Sequence, residues 1–347
     1  MSVAALPAID PGAADAWYRI GDGYLSVGGD HQAFRATVEE IFGGCRASPP
    51  GDDRGLPHVH CVVRVDAGCA GAVIDLVDDD RFSLHAFTLG AFADRGYVDG
   101  PAMEGGWQTI ATAAAPEQPV LAINGDRVVA DDVHRWEGLM ANLAIGRLMS
   151  RQSGCMFFHA ATVAVRGHGL MLCGNKRSGK TTIALALAAR GHPLLGDEIA
   201  AVRLASRGLL PVRRALGVRD GPSSSAAAAR LAAVGGDRVT YPDGETRLRV
   251  QVESAFPQPV PREVPIGAIV LLDGFAEVPE LEALGVGSGA RRILTPLAAT
   301  LWGPVGGART MQLLRLLGAT PGYILRAGTP DDSATCLERL SSDLEGQ

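Results

Sequence analysis

The chain has 347 residues, a formal net charge of -6 and six cysteines with no C-x-x-C pair. That length allows two domains, or one large one, with ample core. The acidic balance excludes a nucleic-acid coat, the absence of an 18-residue apolar run excludes a membrane-spanning helix, and the scattered cysteines (Cys45, Cys61, Cys69, Cys155, Cys173, Cys336) argue for reduced thiols over a disulfide framework or zinc site.

Residues 1–16, with Pro7 and Pro11, are predicted to be a loose arm. Met1-Ser-Val-Ala-Ala-Leu-Pro7 carries no basic segment leading into an apolar core, so export is not expected and the expected compartment is the cytoplasm. From Trp17 to about residue 130, short β-like pieces alternate with Gly, Pro and Asp punctuation. His58–Val65 is the clearest strand, Val73–Val77 and Arg127–Ala130 are weaker, and Gln32–Phe42 carries apolar residues at helical spacing. Residues 46–57 read as an exposed loop. This stretch, 17–130, is expected to be a smaller α+β N-terminal domain with a recognition or regulatory role. His58 and His60 share a strand face, but without a third ligand at suitable spacing the pair reads as an ordinary strand face rather than a metal site.

The domain 131–347 opens with an amphipathic helix predicted over Asp131–Arg151, capped by Asp131 or Asp132. Cys155–Val165 is predicted as one strand, and Gly167-His-Gly169 turns the chain into a second, Leu170-Met-Leu-Cys173. Next come Gly174, Asn175, Lys176, Arg177, Ser178, Gly179, Lys180 and Thr181, a full match to G-x-x-x-x-G-K-[S/T], and a helix-like run from Thr182 to Arg190. Strand, glycine loop and helix stand in the order a phosphate-binding loop needs. The glycines let backbone N–H groups curl around a phosphate, and the helix N-terminus adds positive potential. Lys180 would neutralise β/γ oxygens, and the Thr181 hydroxyl would ligate Mg²⁺.

After the loop helix, His192–Val202 is predicted as a short strand carrying Asp197 and Glu198, seventeen and eighteen residues past Lys180. One carboxylate would bind the metal while the other accepts a substrate proton. Residues 203–265 hold a Ser/Ala segment, a predicted hairpin near Pro242-Asp-Gly244, and arginines (Arg213, Arg214, Arg219, Arg230, Arg247, Arg249) that are either a solvated surface or a site for phosphate or an acidic partner. Gly267–Asp273 is a predicted buried strand. Thr295–Leu301 and Ala308–Leu317 read as helical, Tyr323–Arg326 as a strand and Asp331–Leu344 as a terminal helix.

Three blocks resemble the catalytic domain of HPr kinase/phosphorylase and its bacterial relatives. They are Phe158-His159-Ala-Ala-Thr fifteen residues before Gly174, the glycine loop, and Arg190-Gly-His-Pro-Leu-Leu-Gly-Asp197-Glu198. The resemblance spans about 40 residues. It implies an α/β P-loop kinase domain with a central sheet, of the HPr kinase/PEP carboxykinase kind. It also implies ATP and Mg²⁺ as cofactors, Asp197 as the acid/base, His159 near the phosphates, Thr182 beside the nucleotide, and Glu198 with Thr181 and Asp197 at the metal. No Glu-Ile-Arg-Gly-like signature is found, so the closer likeness is to HPr-kinase-like proteins that resemble peptide-tailoring kinases. The expected partner is a peptide or small-protein phospho-acceptor, with a second copy of the chain as a candidate partner and neither nucleic acid nor membrane. The competing expectation is a P-loop NTPase switch that hydrolyses nucleotide without an acceptor, with Glu198 activating water and Asp273 as an alternative Walker B aspartate. A third is a nucleotide-binding interaction protein without turnover, against which the intact Lys180, Thr181, Asp197 and Glu198 set argues.

Overall fold

The chain divides into two units, Met1–Gln152 and Ser153–Gln347. The computed structural model describes residues 16–29, 32–49, 56–65, 72–77, 97–124, 127–130, 144–219, 225–240, 246–284, 288–302 and 306–345. The N-terminal arm, most of the expected helix start at Asp131, and the tip of the expected 242–244 hairpin lie outside these residues.

In the first unit β1 (Ala16–Ile20), β2 (Gly23–Gly29), β3 (His58–Val65), β4 (Ala72–Val77), β5 (Tyr97–Asp99), β6 (Gln108–Thr112), β7 (Ala115–Asn124) and β8 (Arg127–Ala130) form one sheet. Its order is β1-β2-β3-β4-β8-β7-β6-β5. β2 and β3 are parallel, so the chain must cross over between them, and helix α1 (Gln32–Phe42) lies in that connection. Its Phe34, Val38, Ile41 and Phe42 recur at helical spacing and are buried. His58 is satisfied locally: its Nε2 lies 2.7 Å from Ser26 Oγ and its ring stacks on Trp17 at 4.9 Å between centroids. A helical stretch over residues 144–150 also belongs to this unit. The Gln152 amide holds it there, donating to Ile20 O at 2.9 Å and accepting from Asp22 N at 2.7 Å. The division therefore falls later than the 130/131 boundary expected from sequence.

The second unit is mixed α/β, with two sheets among the described residues. Strands β9 (Cys155–Phe158), β10 (Ala161–Val165) and β11 (His168–Gly174) lead into helix α2 (Lys180–Ala189). Strands β12 (Leu194–Gly196), β13 (Ala200–Arg203), β14 (Gly208–Leu210) and β15 (Leu216–Val218) follow. Then come helix α3 (Ser225–Val234), β16 (Asp237–Thr240), β17 (Thr246–Val250), the short helix α4 (Val252–Ala255), β18 (Val264–Phe275) and β19 (Glu280–Leu284). Helices α5 (Ser288–Ala298) and α6 (Gly307–Ala319), β20 (Gly322–Ala327) and helix α7 (Pro330–Glu345) complete it. The main sheet runs β12-β10-β11-β18-β14-β13-β9, with β20 also on β18 and β19 beyond it; β15, β17 and β16 form a separate small sheet. β11, β18 and β20 are parallel neighbours.

Alternate residues of β11 feed two cores. Leu170 and Leu172 face α2, α3 and α7, whereas Met171 and Cys173 face α5 and α6. Helix α2 is apolar almost all round because it is covered almost all round. The described cysteines Cys45, Cys155, Cys173 and Cys336 are free, and burial pushes the Cys173 thiol up to about 12. Among the described residues no helix is long and apolar enough to cross a membrane.

Three local expectations are corrected. Cys155–Val165 is two strands, not one, because β9 pairs with β13 while β10 pairs with β11 and β12. The chain bends between them, where Ala160 N–H donates back to Phe158 O at 3.0 Å. His192–Val202 breaks in the same way, at Asp197–Ile199, since β12 stays on β10 and β13 moves to β9. The expected Gly167-His-Gly169 turn sits one residue earlier. Arg166 and Gly167, at φ 50° and 82°, make the two-residue hairpin turn, and His168 pairs with Val165.

Candidate functional site

Strand direction brings the three motif blocks together. β11 ends at Gly174, and β12, two strands away across an antiparallel β10, ends at Gly196 on the same edge. β10 runs the opposite way, so its start, at His159 and Ala160, lies on that edge too. The glycine loop, His159, Asp197 and Glu198 thus share the carboxyl edge of the parallel strands, where α/β sheets present ligand sites.

The loop is shaped by its glycines. Gly174 has φ 145°, and a Cβ there would stand 2.8 Å from Leu272 O and 2.7 Å from Ser178 Oγ. Gly179, at φ 98°, occupies the N-cap of α2. Lys180 folds back along the loop, its Nζ donating to Gly174 O at 2.8 Å and Asn175 O at 3.0 Å. Burial lowers the Lys180 pKa, opposed by the charges of Glu198 and Asp197. Asn175, Lys176 and Arg177 are exposed, while Thr181 and Thr182 are half-buried at the first turn of α2. Ser178 Oγ is enclosed without a hydrogen-bond partner. A cradle open only to glycine, an enclosed unpaired hydroxyl and a buried ammonium fit the phosphates of a nucleotide.

The carboxylates sort into two pairs. Thr181 Oγ1 donates to Asp197 Oδ2 at 2.9 Å and lies 3.2 Å from Oδ1. Asp197 is 3% exposed, and its carboxyl is raised to about 7, first by burial and then by the Glu198 charge. Glu198 meets His159, with Oε2 3.2 Å from Nδ1. Burial pushes Glu198 up, but His159, Arg214, Arg247 and Lys180 outweigh it and hold the carboxyl below its usual value. Burial lowers the His159 pKa, partly offset by Glu198, and its backbone N–H is anchored on Thr300 O at 2.6 Å. Glu198 itself sits at φ 70°, a left-handed conformation that non-glycine residues rarely adopt. A Thr hydroxyl beside one carboxylate, with a second carboxylate next to it, is a donor set suited to Mg²⁺, which takes few protein ligands and completes its shell with phosphate and water.

The remaining candidates separate by role. Arg214 and Arg247 bear on Glu198, and Arg219 on Lys180, so these three border the site. Arg213 instead donates to Phe256 O at 2.9 Å and Arg230 to Ala189 O at 3.3 Å, which are packing contacts. Within the Arg-Gly-His block, Arg190 and His192 do not join the site. Both hold Glu338 of α7, at 2.9 and 2.8 Å. Asp273 ends up exposed near the end of β18. Sequence reasoning missed Phe275 beside the loop, whose ring approaches within 3.9 Å of where a Gly179 Cβ would stand. It also missed Gly196, whose Cβ would stand 2.8 Å from Val212 O and 2.9 Å from Ile199 O.

No protein-family model and no curated protein matches the chain. Among solved structures, the HPr(Ser) kinase/phosphatase from Coxiella burnetii is similar at 14% identity, covering 55% of this chain and 90% of that one with a TM-score of 0.29. At that overlap the likeness carries no argument about chemistry, and the geometry above supports the functional reading alone.

Proposed function

We propose that the protein is an ATP-dependent phosphotransferase that moves the γ-phosphoryl group to a hydroxyl, a Ser or Thr of a peptide or small protein. The observation that carries this reading is the contact between Thr181, at the first turn after the glycine loop, and the buried carboxylate of Asp197. It joins a phosphate clamp to a carboxyl whose pKa of about 7 suits a general base at neutral pH.

In this reading the backbone N–H groups of 174–181 and Lys180 hold the phosphates. Thr181 and Glu198 would hold Mg²⁺, which supplies charge neutralisation on the phosphate oxygens. Asp197 takes the proton from the acceptor hydroxyl as the new O–P bond forms and the bond to the β-phosphate oxygen breaks, leaving ADP. Glu198, kept ionised by its cationic neighbours and oriented by His159, keeps negative charge beside Lys180 so that Asp197 remains the carboxylate that exchanges a proton.

The test is incubation with γ-labelled ATP, Mg²⁺ and a peptide pool, with Lys180→Ala and Asp197→Asn alongside. Label in an acceptor, lost in both variants, supports phosphotransfer. Free phosphate with no labelled acceptor, abolished by Glu198→Gln, overturns it in favour of a hydrolytic switch.

A further inference from the structure

Asp197 and Glu198 lie to one side of β11, past β10. On the other side stand the parallel strands β18 and β20. If the reacting phosphate faces the carboxylates, the rest of a nucleotide crosses the glycine loop toward the ends of these two strands. An aromatic side chain stands exposed there. Phe275, the last residue of β18, is 62% exposed, and its ring edge comes within 3.9 Å of where a Cβ on Gly179 would lie.

An exposed phenylalanine has ordinary explanations when it is a lone surface residue, but the backbone that carries this one is held in place. Its carbonyl accepts from Arg326 at 3.2 Å, the next N–H donates to Ala327 O at 2.8 Å, and Phe275 pairs with Ala327 in the sheet. The preceding Gly274, at φ 90°, lets β18 kink so that Phe275 reaches the loop. A ring on a pinned backbone, open to solvent and beside a phosphate cradle, is suited to a flat aromatic ligand.

We propose that Phe275 is the stacking platform for the purine base of the nucleotide, a subsite for an adenine or guanine ring at the end of β18. This rests on the nucleotide reading above. Stacking on one aromatic face is tolerant of base identity, so Phe275 supplies affinity for a purine nucleotide over bare polyphosphate.

The experiment is calorimetric binding of ATP, GTP and inorganic tripolyphosphate, each with Mg²⁺, to the full chain and to Phe275→Ala, Phe275→Leu and Phe275→Tyr. Loss of one stacked base is expected to weaken ATP and GTP binding roughly 5- to 50-fold in the Ala and Leu variants. Tyr should retain the affinity, and tripolyphosphate binding should be unchanged throughout. Equal ATP affinity in wild type and Phe275→Ala, with tripolyphosphate still bound, overturns the platform and leaves the phosphate site standing. Equal weakening of ATP and tripolyphosphate also overturns it, because the ring would then be shaping the loop. If wild type binds none of the three, the nucleotide reading and the platform both fall.

Discussion

The hydroxyl of Thr181 and the carboxylate of Asp197 meet at 2.9 Å although sixteen residues separate them. One is placed by the start of α2 and the other by the end of β12. The pairing exists because an antiparallel strand, β10, stands between two strands that run the same way. The contact also has a cost: Asp197 is buried, has Glu198 as its sequence neighbour, and is stabilised as an anion mainly by Thr181 and Lys180.

Asp197→Asn is therefore expected to stabilise the metal-free fold while abolishing phosphoryl transfer. The folded pKa of about 7 lies above the ordinary aspartate value of 3.8, so folding favours the protonated acid. That preference is fully present below about pH 4 and is lost progressively as pH rises toward 7. In EDTA at pH 8 the variant should gain roughly 1–3 kcal/mol, and at pH 5 the gain should be smaller. Thermal unfolding across this range checks it, and a gain that grows on acidification would contradict the burial argument.

Much of this arrangement was legible in the sequence because local pattern and spacing carried it. Gln32–Phe42 has the period of a helix and is one, and the strand–loop–helix order around Gly174 holds. The strand breaks at His159 and at Asp197–Glu198 were not legible. Each run is apolar on both sides of the polar residues where it breaks, and it breaks there because its two halves take different partners, a choice made by residues far away in sequence. The Ser/Ala segment gave no clear period, and α3 is fixed by burial of Ala227 and Leu231. Phe275 has no local signature at all, since its meaning depends on the neighbouring strand ending at the glycine loop.

His159 and Glu198 should act as one unit. Removing the imidazole takes away the partner that stands 3.2 Å from Glu198, and His159→Ala is expected to lower kcat by about 10- to 100-fold. Glu198→Gln should do likewise, and the double variant should lose far less than the product of the two. A double-mutant cycle in kcat checks the coupling, and strict additivity would separate the two residues.

Glu198 is held at φ 70°, in the left-handed region. Glycine adopts that conformation freely, so Glu198→Gly should be neutral to about 1 kcal/mol stabilising while removing activity. Chemical denaturation beside an activity assay measures both. A clear loss of stability would mean that the side chain, and not the backbone, dominates there.

Arg190 and His192 tie the end of the loop helix to α7 through Glu338. Burial alone would raise the Glu338 pKa, but His192 and Arg190 together hold it below the usual carboxylate range. A depressed carboxylate contributes stability above its unfolded pKa of about 4.5 and loses it as pH falls through the folded value. Glu338→Gln should cost about 0.5–1.5 kcal/mol at pH 7, and the difference should vanish in acid. Phosphotransfer should survive, because this network lies away from the carboxylate pair.

Gly196 is the residue that lets β12 deliver Asp197. A methyl group there would meet the backbone oxygens of Val212 and Ile199 at 2.8 and 2.9 Å, and neither can rotate away as a side chain would. Val212 is bridged to Gly196, and its N–H donates to Leu195 O at 2.9 Å, so the 212 segment is locked against this strand. Gly196→Ala must therefore push β12 away from the 212 segment or shift Asp197 off Thr181. The expected cost is roughly 1–3 kcal/mol of stability, together with at least a tenfold loss of kcat from displacement of the carboxylate. One comparison separates the effects. Gly191→Ala, at φ 99° with open space around its Cβ position, should cost stability by backbone strain alone and spare kcat once folded protein is counted. If Gly196→Ala behaves in the same way, the close approach at β12 serves packing only, and the placement of Asp197 does not depend on it.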